Sequence, residues 1–200
     1  MFSGIVQGTR EIVALEKKDG LTTFTLDLGS LATGVVRGAS IAVSGVCLTA
    51  TDIRETRVSF DAMGETLAKT TIGLLKEGDS VNVERSVKIG DEIGGHRVSG
   101  HVTGMATITN VETPPNNWIV TFQVDPAWMQ YLLPKGFVAL DGCSLTIVDV
   151  GDDWFTVHLI PETLQVTTFG KKKAGDRVNL ELDPETVTIV ETVKRYLKEK

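Results

Sequence analysis

Apolar and polar residues alternate with a period near two through TTFTLDL (22–28), WIVTFQV (118–124) and WFTVHLI (154–160). Successive side chains of a strand point to opposite faces, so such stretches are half-buried strands. Similar short runs, rich in β-branched residues and bounded by Gly, Asp, Asn or Pro, recur along the chain: GIVQGTREIVAL, SIAVSGVCLTATDI, RVSFDAM, SVNVE, HVTGMATITNV, FVALDGCSLTIVDV and RVNLELD. Strands at this spacing predict an all-β sandwich or barrel, and six strands per half closing on themselves leave no sticky edge.

The alternation is interrupted at GETLAKTT, PETLQVTT and PAWMQYLL, where short helical pieces are predicted. After Asp183 the period changes. Asp183 is an N-cap, Pro184 fits the first helical position, and Ile189, Val193, Tyr196 and Leu197 follow helical spacing with lysines at the end. This amphipathic tail needs a surface to cover, either another subunit or its own domain.

The pattern is written twice. Residues 38–84 lie over residues 135–181 without a gap, and FSGIVQGTREI (2–12) lies over VSGHVTGMATI (98–108). Each half begins SGxVxG and ends GDxVNxE. Two copies are too few for a stacked-repeat architecture, so each folds as its own unit. The expected organisation is a first barrel over 1–95, a second over 96–184 and a terminal helix over 185–200, with the polar stretch 84–97 linking the halves.

Composition narrows the function. At 42% hydrophobic and 23% charged residues the chain reads as globular, and a net charge of −6 disfavours a nucleic-acid or anionic-membrane partner. No signal peptide or membrane span is evident, so a cytoplasmic location is expected. Cys47 and Cys143 lack the neighbours of a metal pattern, and a disulfide is not expected in a reducing compartment. His96, His101 and His158 could share a metal only if a bulge turned His96 and His101 to one face, so no metal is assigned.

A duplicated chain reveals candidate chemistry where its copies differ. His101 stands against Ile5, Asp141 against Ser44, and Ser144 against Cys47. An imidazole, a carboxylate and a hydroxyl suit acid–base or nucleophilic work, and Cys47 could supply a thiolate. The structural alternative is a packed His101, an Asp141 closing a DG turn, a small strand serine and an inert buried cysteine. Lys135 replaces Gly38 and could hold an anionic or carbonyl group, or simply be solvated. The paired ETL segments suggest two similar ligand pockets, or two caps.

Taken together, MFSGIV, GVCLT, NVER, IGGHRVSGH, DGCSLT, HLIPETL, TT and GDRVNLE resemble riboflavin synthase of the alpha-chain type over essentially the whole chain. The resemblance implies two similar six-stranded Greek-key barrels plus a C-terminal α-helix that assembles a homotrimer. It implies dismutation of two 6,7-dimethyl-8-ribityllumazine molecules, one giving a four-carbon unit to the other, to yield riboflavin and 5-amino-6-(ribitylamino)uracil without a cofactor. Two substrates would meet between the first barrel of one subunit and the second barrel of another. Whether a lumazine synthase shell accompanies the protein is left open.

Carried onto matching positions, the resemblance gives the first barrel's pocket Gly4, Ile5, Val6, Cys47, Leu48, Thr49, Asp61, Ala62, Met63, Gly64, Glu65 and Thr66. It gives the second Gly100, His101, Val102, Lys135, Ser144, Leu145, Thr146, Ile160, Pro161, Glu162, Thr163 and Leu164. His101 is the candidate for proton transfer, with Ser144 or a water it holds adding to C7 of one lumazine. Asp141 would orient or polarise that pair, and Cys47 of the facing barrel would assist at the second ring. Departures include Ser44, Cys143, Gly104 and Gly64, the last reshaping the first pocket. A carrier that binds the chromophore without chemistry is the rival within the fold, but such relatives lose the SGH histidine. A flavoprotein reductase would need a nicotinamide domain, and a purely structural trimerisation protein would leave the paired ETL and CLT/SLT segments without a shared ligand.

Overall fold

Strands form where the alternating runs predict them, in a computed structural model that describes residues 1–115 and 117–199. The first half gives β1 (Gly8–Lys18), β2 (Leu21–Asp27), β3 (Ser40–Val43), β4 (Val46–Arg54), β5 (Arg57–Met63) and β6 (Ser80–Arg85). They close as β1-β2-β5-β4-β3-β6 with every neighbour antiparallel. The second half repeats that order with β7 (Gly104–Glu112), β8 (Trp118–Gln123), β9 (Phe137–Leu140), β10 (Cys143–Val150), β11 (Trp154–Leu159) and β12 (Arg177–Leu182). These are the two six-stranded barrels that the repeat implied, in the Greek-key form implied by the resemblance. Even the bulges recur: between Ile12 and Ala14 in β1 and Ile108 and Asn110 in β7, then between Ala50 and Asp52 in β4 and Ile147 and Val150 in β10.

Turn chemistry fixes the β3–β4 and β9–β10 hairpins. Ser44 and Gly45 have φ of 42° and 79°, and Asp141 and Gly142 have 43° and 83°. Two successive left-handed residues make the tight turn whose twist matches the strands. The two turns face each other across the junction: a Cβ on Gly45 would sit 2.6 Å from the Gly142 nitrogen.

Inward residues of alternate positions fill each barrel. Phe24 stacks on Phe60 in the first, and Phe122 on Phe155 in the second with Phe169 edge-on. Fully burying one such side chain stabilises by about 1.5–3 kcal/mol. The halves also exchange core residues. Val6 packs in the core of the second barrel, and Val102 packs against the core of the first. Between them Phe2 and Val98 pair as a short antiparallel bridge, forming a seam with Ala42 and Ala139.

Two short helices follow β5 and β11: α1 (Gly64–Lys69) and α2 (Pro161–Val166). The predicted helix at PAWMQYLL is a 3-10 segment, Pro126–Tyr131, capped by Asp125. The terminal helix α3 (Pro184–Lys198) starts as predicted, with the Asp183 carboxylate accepting from the Glu185 and Thr186 amides. One edge lies on the 3-10 segment: Tyr131 donates to Glu191 at 2.5 Å, and Lys194 donates to Gln130 and lies over the Tyr131 ring. The helix therefore takes up the own-domain option along that edge alone. Its apolar stripe of Ile189, Val193, Tyr196 and Leu197 remains 52–65% exposed. Among the described residues no helix is long and apolar enough to cross a membrane.

Candidate functional site

The two SGx segments are held by carboxylates at the ends of the GDxVNxE motifs. Glu84 accepts from the Ser3 amide and hydroxyl at 2.6 and 2.7 Å and from the Gly4 amide at 3.1 Å. Glu181 binds Ser99 and Gly100 in the same way, at 2.6–2.8 Å. Burial raises the pKa of Glu84, and the Ser3 and Gly4 donors oppose that shift. Amides that would otherwise be orphaned in a tight loop are satisfied, and the loop's carbonyls are left to face the other half.

There the segments cross over. The Gly4 carbonyl accepts from the Ser144 amide at 2.8 Å, and the Gly100 carbonyl accepts from the Cys47 amide at 2.9 Å. Both approaches require glycine in the left-handed region: φ is +75° at Gly4 and +79° at Gly100, and an added Cβ would lie 2.6 Å from Ser144 Cβ and 2.5 Å from Cys47 Cβ. These contacts cross over relative to the expected division of pockets. Residues 4–6 adjoin Ser144 of the second barrel, and residues 100–102 adjoin Cys47 of the first. Offset alignment of a repeat shows which segments are alike but not which barrel each one reaches.

Around Cys47 the candidate residues share an outward face. Cys47 and Thr49 project from β4, and Asp61 and Met63 from β5, while Leu48 and Ala62 point into the barrel. Thr23 donates to Asp61 at 2.6 Å. Gly64, Glu65 and Thr66 begin α1, where Lys69 pairs with Glu65 at 2.7 Å and holds its carboxyl below the usual range. His101 is exposed and follows Gly100, the residue whose carbonyl meets the Cys47 amide, and its own amide donates to Ser99 Oγ.

Around Ser144 the twin group forms: Ser144 and Thr146 face outward from β10 with Leu145 inward, and Ile160, Pro161, Glu162, Thr163 and Leu164 run into α2. Lys135 is exposed and has φ of +67°, where its twin Gly38 has +88°. A non-glycine residue here stores roughly 1–2 kcal/mol of strain.

The hydroxyl's partner is a residue that sequence comparison missed. His96 Nδ1 lies 2.6 Å from Ser144 Oγ, with the ring stacked on Phe137 at 5.0 Å between centroids. His96 Nε2 is buried and has no hydrogen-bond partner among the described residues. Burial lowers the His96 pKa, while Asp183, Glu181 and Glu185 pull it partly back. The available signal was the glycine pair before it: a Cβ on Gly95 would sit 2.3 Å from the Ser3 carbonyl and 2.7 Å from Ser144 Cβ.

The expected grouping of His101, Ser144 and Asp141 is not what this chain assembles. His101 accompanies the thiol and His96 the hydroxyl. Asp141 is buried at the junction, accepting from the Asn179 amide at 2.8 Å with Lys172 at 3.3 Å. Burial raises its pKa against the pull of Lys172. It bonds to neither histidine nor Ser144. Cys143, buried beside it, is a raised and inert thiol. Among the described residues no cluster could hold a metal ion. A cavity of about 700 Å³ on the outer face of the second barrel, lined by Trp154 and His158, contains none of the candidate residues.

A model of the lumazine binding domain matches residues 3–86 and again residues 99–183. The chain is 50% identical over 199 residues to riboflavin synthase of Escherichia coli K12, covering 98% of this chain and 93% of that protein. It is 48% identical to riboflavin synthase of Chlamydia pneumoniae (98% and 97% covered) and 38% identical to that of Bacillus subtilis (92% and 85%). Among solved structures, LumP complexed with riboflavin superposes with a TM-score of 0.85 at 26% identity, covering 92% of this chain and all of that one. LumP complexed with 6,7-dimethyl-8-(1′-D-ribityl) lumazine gives 0.83 at 25% identity, covering 92% and 99%.

Proposed function

The chain belongs to the riboflavin synthase family of two-repeat lumazine-binding proteins, and we propose on that premise how its own residues serve the reaction. It is an enzyme that converts two molecules of 6,7-dimethyl-8-ribityllumazine into riboflavin and 5-amino-6-(ribitylamino)uracil by transfer of a four-carbon unit. The carrying observation is near-full-length identity across both repeats. Donor and acceptor are the same compound and the atoms balance between them, so two similar pockets are what the chemistry asks of the fold.

One lumazine lies on the Cys47 face with residues 61–66 and the crossing segment 100–102. The other lies on the Ser144 face with Lys135, residues 160–164 and the crossing segment 4–6. Left-handed glycines bring the backbone of SGI and SGH close to the polar edge of a flat heterocycle. Each pocket is open in the single chain: Ile5 is 48%, Met63 68% and Ile160 62% exposed. A first barrel facing the second barrel of another subunit covers both and stacks the two rings in register, and proximity of that kind supplies much of the acceleration. The exposed stripe of α3 supports assembly into a homotrimer.

The acidic 7-methyl protons of the lumazine need only a modest base. The His96–Ser144 pair suits the second pocket: an uncharged imidazole can take the hydroxyl proton as Ser144, or a water it holds, adds to C7. His101 and Cys47 serve proton transfer at the facing ring. The reading places the protein in the cytoplasm, in keeping with its free cysteines.

The test is incubation of the purified protein with 6,7-dimethyl-8-ribityllumazine, following riboflavin by absorbance, with Ser144→Ala and His101→Ala alongside. Turnover that falls in both variants supports these roles. Tight binding of the lumazine with no riboflavin formed would replace the enzyme with a chromophore carrier.

A further inference from the structure

Each barrel inserts one asparagine into the other. Asn179 of β12 is 1% exposed, and its side-chain carbonyl accepts the Thr71 amide at 2.7 Å. Its side-chain amide donates to the Ser44 carbonyl at 2.7 Å and to Thr71 Oγ1 at 2.9 Å. Asn82 of β6, also 1% exposed, accepts the Thr168 amide at 2.8 Å and donates to the Asp141 carbonyl at 2.9 Å.

What each asparagine grips is the second residue past a pocket helix, the first of the 3-10 turn that follows it. Thr70 Oγ1 donates to the Thr66 carbonyl within the ETL segment and accepts from Ile72, so the bond to Thr71 fixes where α1 stops. Thr167 does the same for Thr163 and Phe169. The paths run from Asn179 through Thr71 and Thr70 to Thr66, and from Asn82 through Thr168 and Thr167 to Thr163. Asn179 is itself set by the Asp141 carboxylate, and Asn82 by Ser44 Oγ at 3.2 Å.

We propose that Asn179 and Asn82 are crosswise positioning residues: Asn179 of the second barrel sets the pocket helix of the first, and Asn82 of the first sets that of the second. The inference rests on the pocket assignment made above. Neither asparagine touches substrate. Each leaves a partly buried amide unpaired when removed, an effect large enough to shift a local equilibrium about tenfold or more.

The experiment uses the full chain and hydrogen exchange by mass spectrometry, with and without riboflavin. In Asn179→Ala, exchange over 64–74 should rise about tenfold or more while 161–171 stays near wild type. In Asn82→Ala the pattern should reverse. Lumazine saturation should become biphasic in each, because one of the two substrate pockets weakens. Loosening confined to the variant's own barrel, or equal in both, overturns the proposal. Should an alanine variant fail to fold, Thr71→Pro and Thr168→Pro remove the same amide donors from the opposite side. Proline suits the first position of these 3-10 turns, where the preceding residue is already extended. Wild-type protein in which riboflavin protects neither helix would instead refute the pocket assignment, whatever the asparagines do.

Discussion

His96 Nδ1 is 2.6 Å from Ser144 Oγ, and the ring between that contact and the buried Nε2 is held against Phe137. Desolvation keeps this imidazole uncharged, with a pKa below its ordinary 6.5. The unfolded chain regains the ordinary value and so binds more protons in the window just below 6.5. Stability is therefore full above that pH and falls as pH drops through it. Glu84, raised by burial, works in the opposite direction above 4.5. Comparing thermal unfolding of wild type and His96→Gln between about pH 7.5 and 5 isolates the histidine. The wild type should lose stability relative to the variant on acidification; parallel curves would exclude the linkage.

The crossing glycines predict damage in the barrel opposite the mutation. Gly100→Ala places a Cβ against Cys47 and Gly4→Ala places one against Ser144, each at a left-handed residue. Strain and overpacking together should cost about 2–4 kcal/mol. Chemical modification of Cys47 should change rate in Gly100→Ala and stay as in wild type in Gly4→Ala. The reverse result would mean that each segment serves its own barrel.

Lys135 offers a trade between stability and binding. Lys135→Gly relieves a left-handed residue and should raise stability by about 0.5–1 kcal/mol after the entropy of glycine is counted. If the ammonium meets the substrate, the same variant should weaken riboflavin or lumazine binding roughly tenfold or more in a fluorescence titration. A variant that is both more stable and equally tight would leave Lys135 a solvated loop residue.

Asp141 and Lys172 form a pair that the first barrel lacks, its matching residues being Ser44 and Leu75. Lys172→Met strands a buried carboxylate and should destabilise by about 2–3 kcal/mol, below the cost of a fully buried pair because Lys172 is partly solvated. Copying the first barrel with Asp141→Ser and Lys172→Leu should recover much of that loss in urea unfolding. A single Lys172→Met variant as stable as wild type would count against the pair.

The apolar face of α3 should separate assembly from binding. Ile189→Glu with Val193→Glu charges exposed positions that touch no barrel core, so the fold should survive. Sedimentation should show smaller species, and turnover should collapse while riboflavin still binds. Retained turnover by a monomer would place the complete site within one chain.

Both barrels and the capped terminal helix were legible, the barrels from periodicity written twice and the helix from its cap and spacing. Of the two hairpin turns only Asp141-Gly142 was read, as the alternative to a catalytic Asp141, and the structure adds its twin at Ser44-Gly45. The pairing of His96 with Ser144 was hidden for a physical reason. It joins a linker residue to a strand residue 48 positions away, through a close approach of Gly95 that no period encodes. Asp141 misled because its difference from Ser44 marks a buried charge pair at the junction. A departure between twins can serve asymmetric packing as readily as asymmetric chemistry.

The exchange of Val6 and Val102 also bears on synthesis. A ribosome that has finished β6 has delivered every strand of the first barrel, yet Val102, the Gly100 carbonyl that caps Cys47 and the Asn179 that grips Thr71 are still to come. Domains usually fold in the order they emerge. Here the earlier one can close on its own strands, but its flank against the later one stays open until nearly the last residues leave the tunnel.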